Sequence, residues 1–357
     1  MNSNIAESGW LAPLPDLAVI DAGGQDAADF LQAQFCNDVA AVDVSRAQFN
    51  GYCSPKGRLL ALMHVVALPG GGYRLVLPRS IAEGFLKRLS MFVLRADVVL
   101  SMAEESSVVG LFQPLDETAD AASVPAPVPL PATPMAVVQE LEGAEQPRRQ
   151  TLRLRNSELD DLPLARYLSI ASQDVNAALL DGAARESSLA VLDPARASAR
   201  LRLSDINAGV PVILPATLER FVPQMVNLDA IDGLSFRKGC YPGQEIVARM
   251  QYLGKQKRHA YRFVSRDAVA EDAVPLPGDS LHTVDGTAAA EVIDAERDGA
   301  GRLAVFAVVR EVQGEDDEIS LPELVLAGAP LLSAPLPYAV PAAKASGRAR
   351  SAAADNA

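Results

Sequence analysis

Residues 238–249 read Lys-Gly-Cys-Tyr-Pro-Gly-Gln-Glu-Ile-Val-Ala-Arg, an order that predicts a tight turn delivering a thiol to the start of a helix. Gly239 and Gly243 permit close backbone approach. Pro242 suits the first helical position, where its missing N–H would be unpaired anyway. Ile246, Val247 and Met250 then share an apolar stripe. Cys240 is therefore expected just ahead of a helix N-terminus with Lys238 beside it. The helix dipole and the cation both favour a thiolate there. Glu245, in the first turn, opposes them in part.

The charge around this run is unusual. From Arg237 to Arg262, the basic residues Arg237, Lys238, Arg249, Lys255, Lys257, Arg258 and Arg262 face one acid, Glu245. The whole chain carries a net charge of −13, so this stretch is its basic outlier. It reads as a site for an anion: a polyglutamate tail, a phosphate or a partner's acidic surface. The acidic total argues against a general nucleic-acid binder, because duplex binding neutralises phosphates with Lys and Arg. No direct nucleic-acid contact is expected.

Three cysteines, Cys36, Cys53 and Cys240, form no CxxC pair, which fits a reducing compartment. Met1–Trp10 has neither the basic nor the apolar region of a secretory signal. The longest apolar run, Leu59–Leu68, is half of what a membrane-spanning helix needs. A cytoplasmic protein without a membrane partner is expected. His64 and His259 lack metal-ligand spacing, and His64, alone on a strand, reads as structural.

At 357 residues the chain has room for two or three domains. Leu17–Ile20 reads as a strand, and Asp26 as the cap of a helix carrying Phe30, Leu31 and Phe35. Gln48–Cys53 and Arg58–Leu68 read as strands joined by the turn Ser54-Pro55-Lys56-Gly57. A further strand, Tyr73–Leu77, leads into a helix through Ile81, Phe85 and Leu89. Ser101–Pro147 contains no Lys or Arg, and its Pro/Ala-rich middle reads as a long loop near 116–136. Strands resume at Leu152, with a helix near Val175–Leu180. After Lys257 short strands and Gly/Pro turns suggest a separate barrel or sandwich. The mixture is α+β rather than doubly wound.

Residues 238–249 resemble the signature of the YgfZ family. Phe221–Leu228 (FVPQMVNL) is similar to that family's segment just upstream, Phe30–Phe35 (FLQAQF) to its first helix, and Pro335–Tyr338 (PLPY) to its C-terminal end. The likeness runs in order over roughly residues 15–338. It implies a fold like the T-protein of the glycine cleavage system: two interwoven α+β folate-binding domains followed by a C-terminal β-barrel. The division it suggests is a flexible N-terminus (1–12), a folate-binding region (13–252), a barrel (253–340) and a disordered tail (341–357).

The resemblance also implies a function: a folate-binding accessory protein supporting assembly or repair of iron–sulfur enzymes, including tRNA methylthiolation, through the signature cysteine. Cys240 is then the candidate reactive thiol, within a motif of Lys238, Gly239, Tyr241, Gly243, Gln244, Glu245 and Arg249. The implied cofactor is tetrahydrofolate or a derivative, with Gln224 and Asn227 as amide contacts. Leu17 and Leu201 occupy two folate-site positions where relatives often carry Trp. An iron–sulfur cluster, which usually needs four thiolates, would have to be shared with a partner. The implied partners are iron–sulfur assembly proteins or client enzymes. Aminomethyl transfer is not expected, because Leu60-Ala61 stands where the T-protein has an acidic pair. The alternatives are a folate-dependent one-carbon transferase and an adaptor that does not bind folate.

Overall fold

The computed structural model of the chain describes residues 9–115, 126–142, 147–186, 189–253, 257–313 and 319–341. The chain opens with β1 (Trp10–Pro13) and then builds a first sheet from β2 (Leu17–Gly23), β3 (Gln48–Cys53), β4 (Leu59–Ala67), β5 (Tyr73–Pro78) and β6 (Val99–Met102). Their order is β3-β4-β5-β2-β6, with each pair antiparallel. Two helices, α1 (Ala27–Gln34) and α2 (Arg79–Ser90), cover one face, burying Phe30, Leu31, Ile81 and Phe85 against Ile20, Tyr52 and Leu75. The expected cap at Asp26 takes another form. Its side chain makes no capping bond and instead accepts from the backbone N–H of Asp97 at 2.8 Å.

A second sheet contains β7 (Ser106–Pro114), β8 (Val137–Leu141), β9 (Pro147–Arg153), β10 (Ser157–Leu159), β11 (Leu162–Ser172) and β12 (Ala190–Val191). Its order is β12-β1-β7-β11-β9-β8, with β10 on β11. β1 is therefore a member of this sheet, antiparallel to β7 and parallel to β12. That membership interweaves the two halves. It also corrects the expected flexible N-terminus: residues 1–8 lie outside the described residues, but Trp10, Leu11 and Ala12 are buried. The Trp10 ring stacks on Phe112 with centroids 5.4 Å apart. Its partners lie about a hundred residues or more along the chain, so no local pattern announces the strand.

Of the loop expected near 116–136, the described part, residues 126–135, carries no helix or strand. β7, within the stretch lacking Lys and Arg, is a central strand with Val108–Phe112 buried. A strand covered on both faces has no place for a charge. Residues 116–125 lie outside the described residues, while Val128 beyond them is buried beside Leu111 and Leu179. Helix α3 (Gln173–Glu186) covers the outer face of this sheet. The two sheets face each other across one core, in which Val19, Leu62 and Val76 join Val108, Leu152 and Ile170.

Helix α4 (Pro194–Ala208) follows, capped by Asp193 and ended by Gly209 in the left-handed region. Then come α5 (Gln244–Leu253) and six strands: β13 (Arg258–Ala268), β14 (Ser280–Thr283), β15 (Ala288–Arg297), β16 (Arg302–Arg310), β17 (Leu324–Leu326) and β18 (Ala329–Ala334). These six close into a barrel. The expected α+β architecture with a C-terminal barrel is what the chain adopts. The expected tail, apart from Pro341, falls outside the described residues. No helix among the described residues is long and apolar enough to cross a membrane.

Arg202 of α4 ties the barrel to the sheets. Its Nε lies 3.1 Å from both carboxylate oxygens of Asp294 on β15, and its Nη2 donates to the carbonyl of Ala295 at 2.8 Å. Asp294 is buried, whereas water reaches the guanidinium. Replacing Arg202 with Ala strands that carboxylate. We expect a loss of about 2 kcal/mol in urea unfolding, less than for a fully enclosed pair. Adding Asp294→Asn should restore part of it.

Candidate functional site

The signature loop is held from two directions. Lys238 turns away from solvent, and its ammonium donates to the carbonyls of Gln32, Phe35 (2.5 Å) and Asn37 (3.2 Å) at the end of α1. These include carbonyls that α1 itself leaves unpaired, so the lysine acts as a cap supplied by a distant segment. The ammonium lies 5.4 Å from the centre of the Tyr241 ring. Burial pulls Lys238 down to about 8, with Cys36 and Asp38 nearby acting to hold it up.

The second hold is backbone on backbone. Gly243 has φ +82°, and a Cβ there would lie 2.4 Å from the carbonyl oxygen of Ser54 and 2.6 Å from Cα of Gly57. Gly57, itself at φ +68°, packs on Ile246. The left-handed residue between Pro242 and the helix corrects the expected start: α5 begins at Gln244, and Pro242 belongs to the turn. Val247 is buried and Ile246 half exposed. Cys240 is exposed four residues before the helix, with Gly239, Glu245 and Arg249 also exposed. The two groups expected to act on its thiol are directed elsewhere: the ammonium to α1, the helix start beyond the turn.

The other candidates separate. Gln224 is buried and donates to the carbonyl of Val247 at 2.7 Å, securing α5. Asn227, at φ +57°, donates to the carbonyl of Ala260 at 2.8 Å and accepts from its N–H at 3.3 Å, securing β13. Neither residue lines the central cavity, and the Gln224 Oε1 has no hydrogen-bond partner among the described residues. Leu17 and Leu201 pack against the core and do not line the central cavity. Cys36 and Cys53 are buried, and Cys53 is pushed up by a hydrogen bond with Cys36 and by burial. Among the described residues no group of three or more His, Cys, Asp or Glu is placed to hold a metal.

A cavity of about 640 Å³ opens between the two sheets and the segment Ile231–Arg237 that leads into the signature. Phe49, Leu154, Met135 and Phe236 give it apolar walls, and His64, Arg166 and Asp205 supply polar groups. Arg166 is fully buried and donates to Asp205 Oδ1 (2.6 Å), Ser204 Oγ (2.9 Å) and the carbonyl of Arg155 (2.8 Å). Burial pushes the Asp205 carboxyl up, while Arg166 draws it back. His64 leans on Phe49 with ring centres 4.9 Å apart. Burial, reinforced by Arg166, brings its pKa to about 3, so the imidazole is neutral at physiological pH. Sequence reasoning missed His64 and Asp205. The available signal was the placement of His64 on the strand that carries Leu60-Ala61.

Gly243→Ala combines a strained φ with a carbonyl clash. We expect at least about 2 kcal/mol of destabilisation by thermal and urea unfolding. His64 binds its proton less readily folded than unfolded, so the unfolded chain takes up more protons between pH 6.5 and about 3. Its contribution to stability is therefore lost as pH falls through that window. His64→Gln should flatten this part of the pH–stability curve, and the wild-type His64 ring should show no NMR titration between pH 5 and 8.

No family model matches the sequence. The curated tRNA-modifying protein YgfZ of Serratia proteamaculans is 30% identical over 339 residues, 92% of this chain and 92% of the relative. The protein of that name from Sodalis glossinidius is 31% identical over 276 residues, covering 76% and 75%. Among solved structures, the glycine cleavage system aminomethyltransferase T of Bartonella henselae superposes with a TM-score of 0.62 over 92% of this chain and 85% of that one. At 15% identity it establishes the fold: the interwoven sheets and barrel are those of the T-protein. With the order of elements and the identities to full-length relatives in agreement, the chain belongs to the YgfZ family of tRNA-modifying proteins.

Proposed function

We propose that this protein is a cytoplasmic, folate-binding accessory factor that supports assembly or repair of iron–sulfur enzymes, tRNA methylthiolation among them, with Cys240 as its working thiol. One observation carries the reading. The segment Ile231–Arg237 lines the central cavity and runs directly into the loop that exposes Cys240. Ligand and thiol are thereby joined through a few residues of backbone.

The cavity suits a reduced pterin in size and chemistry. A pterin is flat and presents a donor edge. Phe49 and Phe236 offer surface for the ring, Asp205 accepts from the edge, and neutral His64 offers one donor and one acceptor. Arg166 favours the ionised form of Asp205. A tetrahydrofolate, when bound, supplies a ring able to carry a one-carbon unit. Cys240 can act by thiol exchange or as one ligand to a cluster held mainly by a partner.

Calorimetric titration with tetrahydrofolate should give saturable heat, weakened at least about tenfold by Asp205→Asn. An absence of heat with the wild type removes the folate part. In a bacterial strain lacking its own YgfZ, this protein should restore tRNA methylthiolation and Cys240→Ser should not. Full restoration by Cys240→Ser removes the thiol part.

A further inference from the structure

A second cavity, of about 500 Å³, lies between α4, the β10–β11 turn and the β15–β16 turn of the barrel. It shares no lining residue with the central cavity. Its apolar side is formed by Trp10, Leu159, Leu164 and Leu192. Trp10 is only 5% exposed, and among the described residues its indole Nε1 has no hydrogen-bond partner. Buried donors are nearly always satisfied, so an orphan lining a cavity points to an acceptor supplied from outside.

The polar side is built and anchored. Asp160 and Asp161 make a two-residue turn at φ +50° and +66°. Asp160 receives Arg200 at 2.6 Å and the backbone N–H of Gly299 at 3.0 Å, which joins the sheet to the barrel. Arg302 is engaged with Asp298 at 2.7 Å. Arg196 and Arg297 are held more loosely. Arg196 lies 3.5 Å from Asp193, with both side chains mostly exposed, whereas Arg297, itself 32% exposed, lies 3.2 Å from the exposed Glu271 and donates to the carbonyl of Val269 at 3.2 Å. The exposed Arg196 pair contributes little, so an arriving anion can compete for that guanidinium, and at Arg297 it would displace only the solvent-exposed Glu271. The Asp161 side chain is almost fully exposed and opposes such an anion only weakly.

We infer that this cavity is a second ligand site, taking a small planar aromatic carboxylate. The ring lies against Trp10 and the leucines, an acceptor atom receives the indole N–H, and the carboxylate meets Arg297 or Arg196. The volume holds one or two rings. Arginine suits the planar carboxylate geometrically. The site is independent of the folate reading.

The chain contains a single tryptophan, so its emission reports on this cavity alone. Benzoate and benzamide serve as probes of equal shape that differ in charge. Benzoate should change the Trp10 emission saturably, with benzamide about tenfold weaker. The double variant Arg196→Gln/Arg297→Gln should bring benzoate down towards the amide. Ala199→Phe, which fills the cavity from α4, should abolish the benzoate heat in calorimetry. Unchanged emission up to tens of millimolar benzoate overturns the inference. So does equal binding of the two probes, or undiminished benzoate heat in a folded Ala199→Phe variant. If that variant does not fold, the double variant Arg196→Gln/Arg297→Gln decides: equal benzoate affinity in variant and wild type overturns the site.

Discussion

Gly243 and Gly57 lie with their backbones in contact, and a side chain on Gly243 would strike the carbonyl of Ser54. This contact fixes where the signature loop sits. It holds the turn before α5 against the turn between β3 and β4, and so against the first sheet. Lys238 adds a second anchor by capping α1. Between these anchors the loop has little freedom, and Cys240 is carried at its exposed crest. The motif's conformational demands thus fall mostly on Gly243, its neighbour Gly57 and Lys238.

The central cavity is costly to build. Arg166 is fully buried, and its charge is tolerated because three hydrogen bonds, one of them to the Asp205 carboxylate, compensate it. The same cation lowers the affinity of His64 for a proton. Burial is the larger influence on both neighbours: Arg166 reinforces it at the imidazole and opposes it at the carboxylate. The His64 ring, with its pKa at about 3, keeps its hydrogen-bonding character across physiological pH.

Much of the fold was legible. The turn Ser54–Gly57, the strands on either side and the apolar periodicity of α2 are local signals, and the structure follows them. The signature marked the exposed thiol and the glycine turn. What sequence did not reveal depends on contacts distant along the chain. Lys238 reads as a neighbour of Cys240 but reaches back some two hundred residues to α1. Asn227 and Gln224 look like ligand amides, and the N–H groups of both are spent on backbone carbonyls that tie segments together. His64 looks like a lone strand histidine until Arg166 and Phe49 are placed beside it. Pro242 promises a helix start that the left-handed Gly243 postpones. In each case residue type was readable and direction was not.

The placement of β1 has a consequence for how the chain is made. Trp10–Pro13 leaves the ribosome well before its partners in the second sheet, Ser106–Pro114 and Ala190–Val191. The first sheet can close on itself as soon as β6 has emerged, since none of its pairings needs later residues. The second cannot finish until more than half of the polypeptide is available. During synthesis β1 must therefore wait beside an assembled neighbour, its tryptophan exposed, and contacts of such sequence separation form late. The strand that interweaves the halves also sets the order in which they mature.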